Sequence, residues 1–335
     1  KLQPGTYMIY QNGTIQLSSY WDAAERKQSV DNEKIWDYEE GKRQLENILL
    51  DSVKKRMISD VPLGSFLSGG IDSTLITSVA QGISNKPVKS FTIGFYDKKE
   101  NEAEFAAEIA KHIGTEHHEL YVSEQDILDT IQDLPFYYDE PFSDSSQLPS
   151  MLVSRMASDH ITVALSGDGG DELFCGYTMY DLTWIAQHSD WMGAVAYKMI
   201  GNSRLMEQLP SELRAFINNR DKHRKTQLFI DVVREEVEKI LGQPLNNIKY
   251  SQEDKIEYKN WQERRMLLDI QTYLPEDILT KMDRASMKHS LEVRCPLLDY
   301  RFVEKTFQIP HKYKYNKFDK KYILKDITYK YVPEK

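Results

Sequence analysis

Phe66-Leu67-Ser68-Gly69-Gly70-Ile71-Asp72-Ser73-Thr74 reads as a short apolar strand that ends in a glycine turn and runs straight into an amphipathic helix. Adjacent glycines let the backbone come close to an anion and turn successive N–H groups toward it. Ser68, Ser73 and Thr74 add hydroxyl donors at the positive end of the helix that follows. The spacing is not that of a Walker loop, because no Gly-Lys-Ser or Gly-Lys-Thr follows. Asp72 beside a polyphosphate makes sense with Mg²⁺ between the two, since hard oxygen ligands suit that ion. Taken alone, the stretch also allows a strand-turn-helix corner with glycines for packing.

A second stretch, Ser166-Gly167-Asp168-Gly169-Gly170-Asp171-Glu172, has the same logic: a strand (His160 to Leu165), glycines, then acidic residues. Crowded carboxylates repel one another unless a cation or a protonation change relieves them, and a metal shared with Asp72 would do so. An acidic surface turn is the alternative.

Around these two loops the chain reads as an α/β protein. Val88 to Phe95 and His118 to Val122 are strand-like, and Asn101 to Gly114 is helix-like, with Asn101 as cap and Glu104 three residues on. Strands alternating with helices predict a doubly wound parallel sheet, which binds ligands beyond the C-terminal strand ends, where Ser68 and Ser166 fall. The stripe Leu45, Ile48, Leu49, Ser52, Val53, Arg56 and Met57 predicts a helix against that sheet, stopped by Asp60-Val61-Pro62. Asn12-Gly13 between Gly5–Tyr10 and Thr14–Leu17 predicts a β-hairpin, and the polar stretch Asp22 to Asp37 a linker. From about Met179 a mostly helical second lobe is expected: Val233, Val237, Ile240 and Leu241 recur at helical spacing before Gly242 and Pro244, and Trp184, Trp191 and Trp261 read as core.

At 335 residues the chain is long for one core, so two lobes are expected. A formal charge of −9 and a pI near 5.5 argue against a nucleic-acid backbone as the main partner. No apolar run is long enough to span a bilayer, and the chain reads as cytoplasmic without a membrane partner. Cys175 and Cys295 are far apart and read as buried small hydrophobes, not as a zinc site or a disulfide framework.

Ser-Gly-Gly-x-Asp-Ser resembles the pyrophosphate loop of the ATP pyrophosphatases, which split ATP between the α and β phosphates. Further motifs narrow the likeness: Asp139-Glu-Pro-Phe-Ser-Asp144, Leu165-Ser-Gly-Asp-Gly-Gly-Asp-Glu172, Lys281-Met-Asp-Arg-Ala-Ser286, and Glu292-Val-Arg-Cys-Pro-Leu-Leu-Asp299 follow in order. The chain resembles the synthetase domain of glutamine-hydrolysing asparagine synthetases. The resemblance implies that Ser68, Gly69, Gly70, Asp72 and Ser73 hold pyrophosphate, that Leu67, Ile93 and Gly167 line the adenosine pocket, and that Asp72 and Asp171 hold Mg²⁺. It makes Lys321, in Lys320-Lys321-Tyr322-Ile323-Leu324, an electrostatic catalyst. Asp168 stands where some members carry a catalytic Glu, one methylene longer. Glu292, Arg294 and Asp299 read as structural ion-pair partners.

The implied substrates are ATP, ammonia, and aspartate or a related carboxylate such as a sugar acid or a β-lactam-type β-amino acid. The segment Pro135 to Ser154 has no Arg or Lys, whereas some asparagine synthetases place an Arg there for the substrate α-carboxylate. The implied layout is a remnant hairpin of a missing N-terminal glutaminase domain at 1–22, a nucleotide-binding lobe at 23–178, a helical lobe at 179–265, and helical segments returning to the cleft at 266–335. With Lys at position 1 and no N-terminal Cys nucleophile, the chain is expected to use ammonia and not glutamine. The exposed apolar residues Tyr7, Ile9 and Ile15 of the hairpin suggest self-association, with a homodimer as the expected form. A tRNA-modifying or sulfur-transferring relative would show basic patches or catalytic cysteines. A nucleotide-binding module without chemistry would not need Asp72, Asp168, Asp171 and Lys321 together.

Overall fold

The computed structural model describes residues 1–96, 102–200, 209, 214, 217, 237–243 and 258–334. The chain divides into two compact units, Lys1–Glu25 with Cys175–Gln271, and Arg26–Phe174 with Thr272–Lys335. Among the described residues no helix is long and apolar enough to cross a membrane.

The larger unit is built on a five-stranded sheet of β3 (Leu63–Phe66), β4 (Lys89–Phe95), β5 (Glu116–Val122), β6 (Val163–Leu165) and β7 (Glu292–Arg294), in the order β5-β4-β3-β6-β7. Every pairing is parallel, with Phe66 beside Phe91, Ser65 beside Leu165 and Leu165 beside Arg294. The chain steps from β3 outward through β4 and β5, then returns to the other side of β3 for β6. Right-handed crossovers that reverse direction in this way put helices on both faces and open a crevice where the order reverses. On one face Phe91, Ala157, Ile161, Ala164 and Leu291 form a core, and on the other Leu67 packs with Ala106 and Ala110.

The helix Tyr38–Arg56 starts where Asp37 accepts from the Glu40 N–H, and it buries Leu45, Leu49 and Val53. The helix Ala103–Ile113 ends at Gly114, whose φ of 82° needs a residue without Cβ. The expected cap Asn101 lies outside the described residues. Asp22 to Asp37 is not a plain linker: Asp22 accepts from the Ala24 and Glu25 N–H groups and starts a helix over Ala23–Ser29, since an N-terminal carboxylate satisfies otherwise orphaned donors.

Asp299 ties the C-terminal part of this unit to the Tyr38–Arg56 helix. Its carboxylate accepts from Arg56 at 3.0 Å and from Arg301 at 2.9 Å, while Arg294 pairs with Glu292 and donates to the carbonyls of Arg56 and Ile58. Burial works against the Asp299 charge, but bonds from Arg301 and Arg56 outweigh it and hold the carboxyl well below its usual range. A depressed carboxyl pKa contributes stability above the unfolded-state value, and that stability is lost as pH falls toward the folded-state value. Asp299→Asn is therefore expected to cost about 3 kcal/mol at pH 7, since two guanidinium groups lose their buried partner, and to flatten the acid limb of the stability curve below about pH 4. Urea unfolding of both proteins across that range checks it.

In the smaller unit β1 (Thr6–Gln11) and β2 (Thr14–Ser19) form the hairpin, with Asn12 and Gly13 at φ values of 51° and 79°. Two central residues at positive φ define the turn that matches strand twist. The helices Thr178–Ile200 and Trp261–Gln271 lock through buried polar groups: the Tyr180 hydroxyl donates to Asp269 at 2.9 Å and the Gln262 amide to the Tyr180 carbonyl at 3.0 Å. Trp261 is buried, but Trp191 is 67% exposed and so is not core, while Trp184 is half-buried and stacks on His188. The aromatic mass of Trp191 alone does not set its place on the helix. Ile240 and Leu241 are exposed, while Val233 and Pro244 lie outside the described residues.

Candidate active site

The two glycine loops stand side by side because β3 and β6 are neighbours. In the first, Gly69 has φ +83°, a region open to glycine, and Gly70 caps the helix Ile71–Ile83 with extended backbone. Ser73 accepts from the Ser68 N–H at 3.1 Å, and its hydroxyl lies 3.0 Å from that of Ser68 and 3.2 Å from the Gly70 carbonyl. The loop is thus preshaped by its own hydroxyls, with Ser68 and Gly70 exposed at its tip.

The glycines of the second loop are needed for contact with the first. A Cβ on Gly167 would stand 2.7 Å from Ser73 N and 2.9 Å from the Asp72 carbonyl carbon, and one on Gly170 would stand 2.3 Å from Asp72 Cγ. Backbone therefore packs on backbone, and Asp72 and Asp171 are brought to one point. Gly167→Ala is expected to push the loops apart at a cost of about 2 kcal/mol, since overpacking a close contact strains both sides. It should weaken ATP binding at least about tenfold. Calorimetry and thermal unfolding on the same preparation check both values.

Lys321 stands between the two carboxylates, its Nζ 2.6 Å from Asp72 Oδ2 and 2.8 Å from Asp171 Oδ1. It is delivered by the hairpin of β8 (Tyr315–Asn316) and β9 (Asp319–Lys320), and its own N–H donates to the Phe174 carbonyl at 3.1 Å. Lys317, Phe318 and Lys321 all have positive φ, an unusual cost for non-glycine residues. Burial opposes the Lys321 charge, but Asp72 and Asp171 outweigh it and raise its pKa. Burial pushes the Asp72 carboxyl up to about 6, aided by Asp171 and Asp168 and opposed by Lys321.

Asp72 Oδ1 is buried and has no hydrogen-bond partner. An orphaned carboxylate oxygen beside a second carboxylate suits a hard cation, and Mg²⁺ is commonly held by one or two carboxylates with substrate phosphates supplying the rest. Among the described residues no group of three or more His, Cys, Asp or Glu side chains forms an all-protein cage. Asp72 and Asp171 therefore fit the ion in the shared mode.

Asp168 accepts from the Ser166 hydroxyl at 2.7 Å, which holds its carboxylate toward the end of β6. Burial raises its pKa, with Ser166 and Lys281 pulling the other way. Cys295 is only half-buried, not a fully buried apolar filler: its Sγ lies 3.9 Å from Asp168 Oδ2, and burial, then Asp168, pushes the thiol well above its usual value. Leu67 has its side chain wholly in the core, so only its main chain faces the loop, and Ile93 and Gly167 are partly exposed.

Sequence reasoning passed over one cluster. Lys281, buried on the helix Leu279–Met287, donates to Asp144 at 2.7 Å and to Ser146 at 2.6 Å. Opposite charges within two of the quoted motifs were the available signal.

A parallel sheet whose order reverses between two glycine loops, with carboxylates and a lysine at the reversal, is a doubly wound α/β fold with its candidate site at the switch point. The chain matches the asparagine synthase family over residues 44–335 and belongs to that family. It is 29% identical, over 100% of its length and 53% of the relative, to asparagine synthetase [glutamine-hydrolyzing] 1 of Bacillus subtilis. It is 31% identical, over 85% of its length and 58% of the relative, to a putative asparagine synthetase of Methanocaldococcus jannaschii. The chain thus spans about half the length of the curated relatives it matches. An NMN synthetase from Francisella tularensis aligns over 78% of this chain and 98% of its own, at a TM-score of 0.31 and 14% identity.

Proposed function

We propose that this chain forms an amide from a carboxylic acid, ammonia and ATP through an acyl-adenylate, with aspartate as substrate and asparagine as product. The convergence of Asp72, Asp171 and Lys321 where the two glycine loops touch carries this reading, because that point can hold the departing phosphates of a nucleotide.

In the first step a carboxylate oxygen of the substrate attacks the α-phosphorus and the bond to the β-phosphate oxygen breaks, giving the adenylate and pyrophosphate. Ser68, Gly69, Gly70 and Ser73 hold the pyrophosphate, and the Leu67 main chain, Ile93 and Gly167 bound the adenosine. Mg²⁺ held by Asp72 and Asp171 would neutralise phosphate charge. Lys321 supplies fixed positive charge where negative charge grows. In the second step ammonia attacks the acyl carbon, AMP leaves with the carbon–oxygen electron pair, and the nitrogen loses one proton. Asp168 takes that proton. Its raised pKa brings it closer to the range where a carboxylate is an effective base at neutral pH.

Amidation of a sugar acid or closure of a β-amino acid uses the same first step. A panel of carboxylic acids assayed for pyrophosphate release with ammonia separates these substrates. Release above background with aspartate, with AMP in equal amount, is the expected result. Release only with acids lacking an amine would replace aspartate, and release with none would overturn the adenylation reading.

A further inference from the structure

The hairpin that delivers Lys321 runs against the usual chemistry of its own turn. Tyr315 pairs with Lys320 and Asn316 with Asp319, so Lys317 and Phe318 alone make the turn between β8 and β9. Their φ values of 49° and 72° are close to the 51° and 79° of Asn12 and Gly13 in the hairpin of β1 and β2. Asn and Gly adopt such angles at little cost, whereas Lys and Phe do so against the clash of Cβ with the backbone. The same chain thus carries the unstrained pair in one hairpin and a strained pair in the other. Among the described residues six that are not glycine have positive φ, and three of them, Lys317, Phe318 and Lys321, fall on this one arm.

Strain of this kind persists where surrounding contacts hold it, and it gathers where a side chain has to be aimed. Lys321 caps the helix Tyr322–Thr328 with φ 56° and ψ 29°, whereas N-cap residues are normally extended. Its N–H donates to the carbonyl of Phe174, which is fully buried against Phe302, and its own carbonyl accepts from the Lys325 N–H at 2.8 Å. Lys325 also reaches back to Asp319 at 2.6 Å. These contacts clamp the end of the arm. At the turn, the half-exposed Phe318 ring stands edge-on to Tyr315 with 6.2 Å between centroids, and Tyr315 is buried and stacks on His311. A hairpin with strands this short is marginal by itself, and an edge-to-face ring pair is a specific stabilising contact.

We propose that Phe318 is a positioning residue for Lys321: its ring clamps the strained turn onto Tyr315, so that the arm holds the ammonium between Asp72 and Asp171. The proposal rests on the reading of Lys321 as the fixed charge of the reaction centre, and it says what fixes that charge.

Lys317→Asn/Phe318→Gly gives β8 and β9 the turn of the first hairpin, so the turn is kept and the ring is lost. Turnover is expected to fall about tenfold with little change in ATP affinity, since a misplacement well under an ångström at a reaction centre has effects of that size. Phe318→Tyr, which keeps both ring and strain, should stay within about twofold of the parent. A turn that serves the fold alone gives the opposite order, with the Asn-Gly variant at least as active and its melting temperature no lower. In a Lys321→Ala background the Asn-Gly change should alter turnover by less than about twofold, because a residue that acts through Lys321 has nothing left to position. Parental turnover of the Asn-Gly variant, or the same loss with and without Lys321, would overturn the proposal.

Acetylation by acetic anhydride, read residue by residue with mass spectrometry, needs no turnover and keeps the two readings apart. The Lys321 side chain is 14% exposed and bonded to two carboxylates, so it should react slowly in the parent. The Asn-Gly variant should label there at least about fivefold faster, as a loosened arm opens more often, and equally at the exposed Lys54. Faster labelling with no pyrophosphate from any acid would refute adenylation and support the positioning role. Unchanged labelling with pyrophosphate release intact would refute the positioning role and leave adenylation standing.

Discussion

Lys321→Ala is expected to lower pyrophosphate-forming turnover by about 10²- to 10³-fold, the usual loss when a fixed stabilising charge is removed from a reaction centre. ATP affinity should fall much less, because the ammonium matters chiefly where the transition state carries more negative charge than the ground state. The same ammonium is bonded to Asp72 and Asp171, so its loss leaves two carboxylates facing each other in a poorly solvated pocket. The nucleotide-free variant should therefore also lose about 3 kcal/mol of stability. Single-turnover kinetics, ATP calorimetry and urea unfolding separate these effects. A loss of affinity as large as the loss of turnover would make Lys321 a phosphate anchor and nothing more.

Asp72→Asn and Asp171→Asn are each expected to reduce pyrophosphate formation by about 10³-fold or more, since on the proposed reading each would take from the cation a carboxylate charge that a neutral amide does not supply, a barrier change of several kcal/mol. Stability should move differently. Asp72 is buried, its carboxyl is pushed up to about 6, and Oδ1 has no partner, so its charged form is costly at pH 7. A raised carboxyl pKa means that stability falls as pH climbs from the unfolded toward the folded value. Asp72→Asn removes that cost and forfeits one bond to Lys321, which keeps Asp171. The two changes offset, and the variant should stay within about 1 kcal/mol of the parent while losing activity, as is common where a site is built at the expense of stability. Near-native turnover of either variant would contradict the shared-cation arrangement.

The parts of this architecture written in local sequence were readable. Asn12-Gly13 announces its hairpin, and Ser68 to Ser73 announces the strand-loop-helix corner on which the sheet is wound. Asp72, Asp168 and Asp171 were visible because carboxylates crowd just after two glycine-rich strand ends, where they repel one another unless a cation relieves them. Other features were beyond local reading. The strand Glu292–Arg294 is three residues long and charged at both ends, so it has no apolar run, and only its pairing with β6 makes it a strand. Lys321 sits in a stretch of several lysines, and nothing local singles it out. The Asp144–Lys281 pair joins residues far apart in the chain, which no spacing rule connects before the fold is known. The reversal of strand order also has no local signature, yet it is what sets Gly167 against Ser73.

Oxygen transfer tests the central claim most directly. Aspartate labelled with ¹⁸O in its side-chain carboxylate is incubated with the protein, ATP, Mg²⁺ and ammonia, and the phosphorus-containing products are examined by mass spectrometry. Adenylation predicts one ¹⁸O in AMP, none in pyrophosphate, and as much labelled AMP as asparagine. Label in orthophosphate accompanied by ADP would mean activation through an acyl phosphate, and it would contradict the assignment of the glycine loops and Lys321 to a departing pyrophosphate.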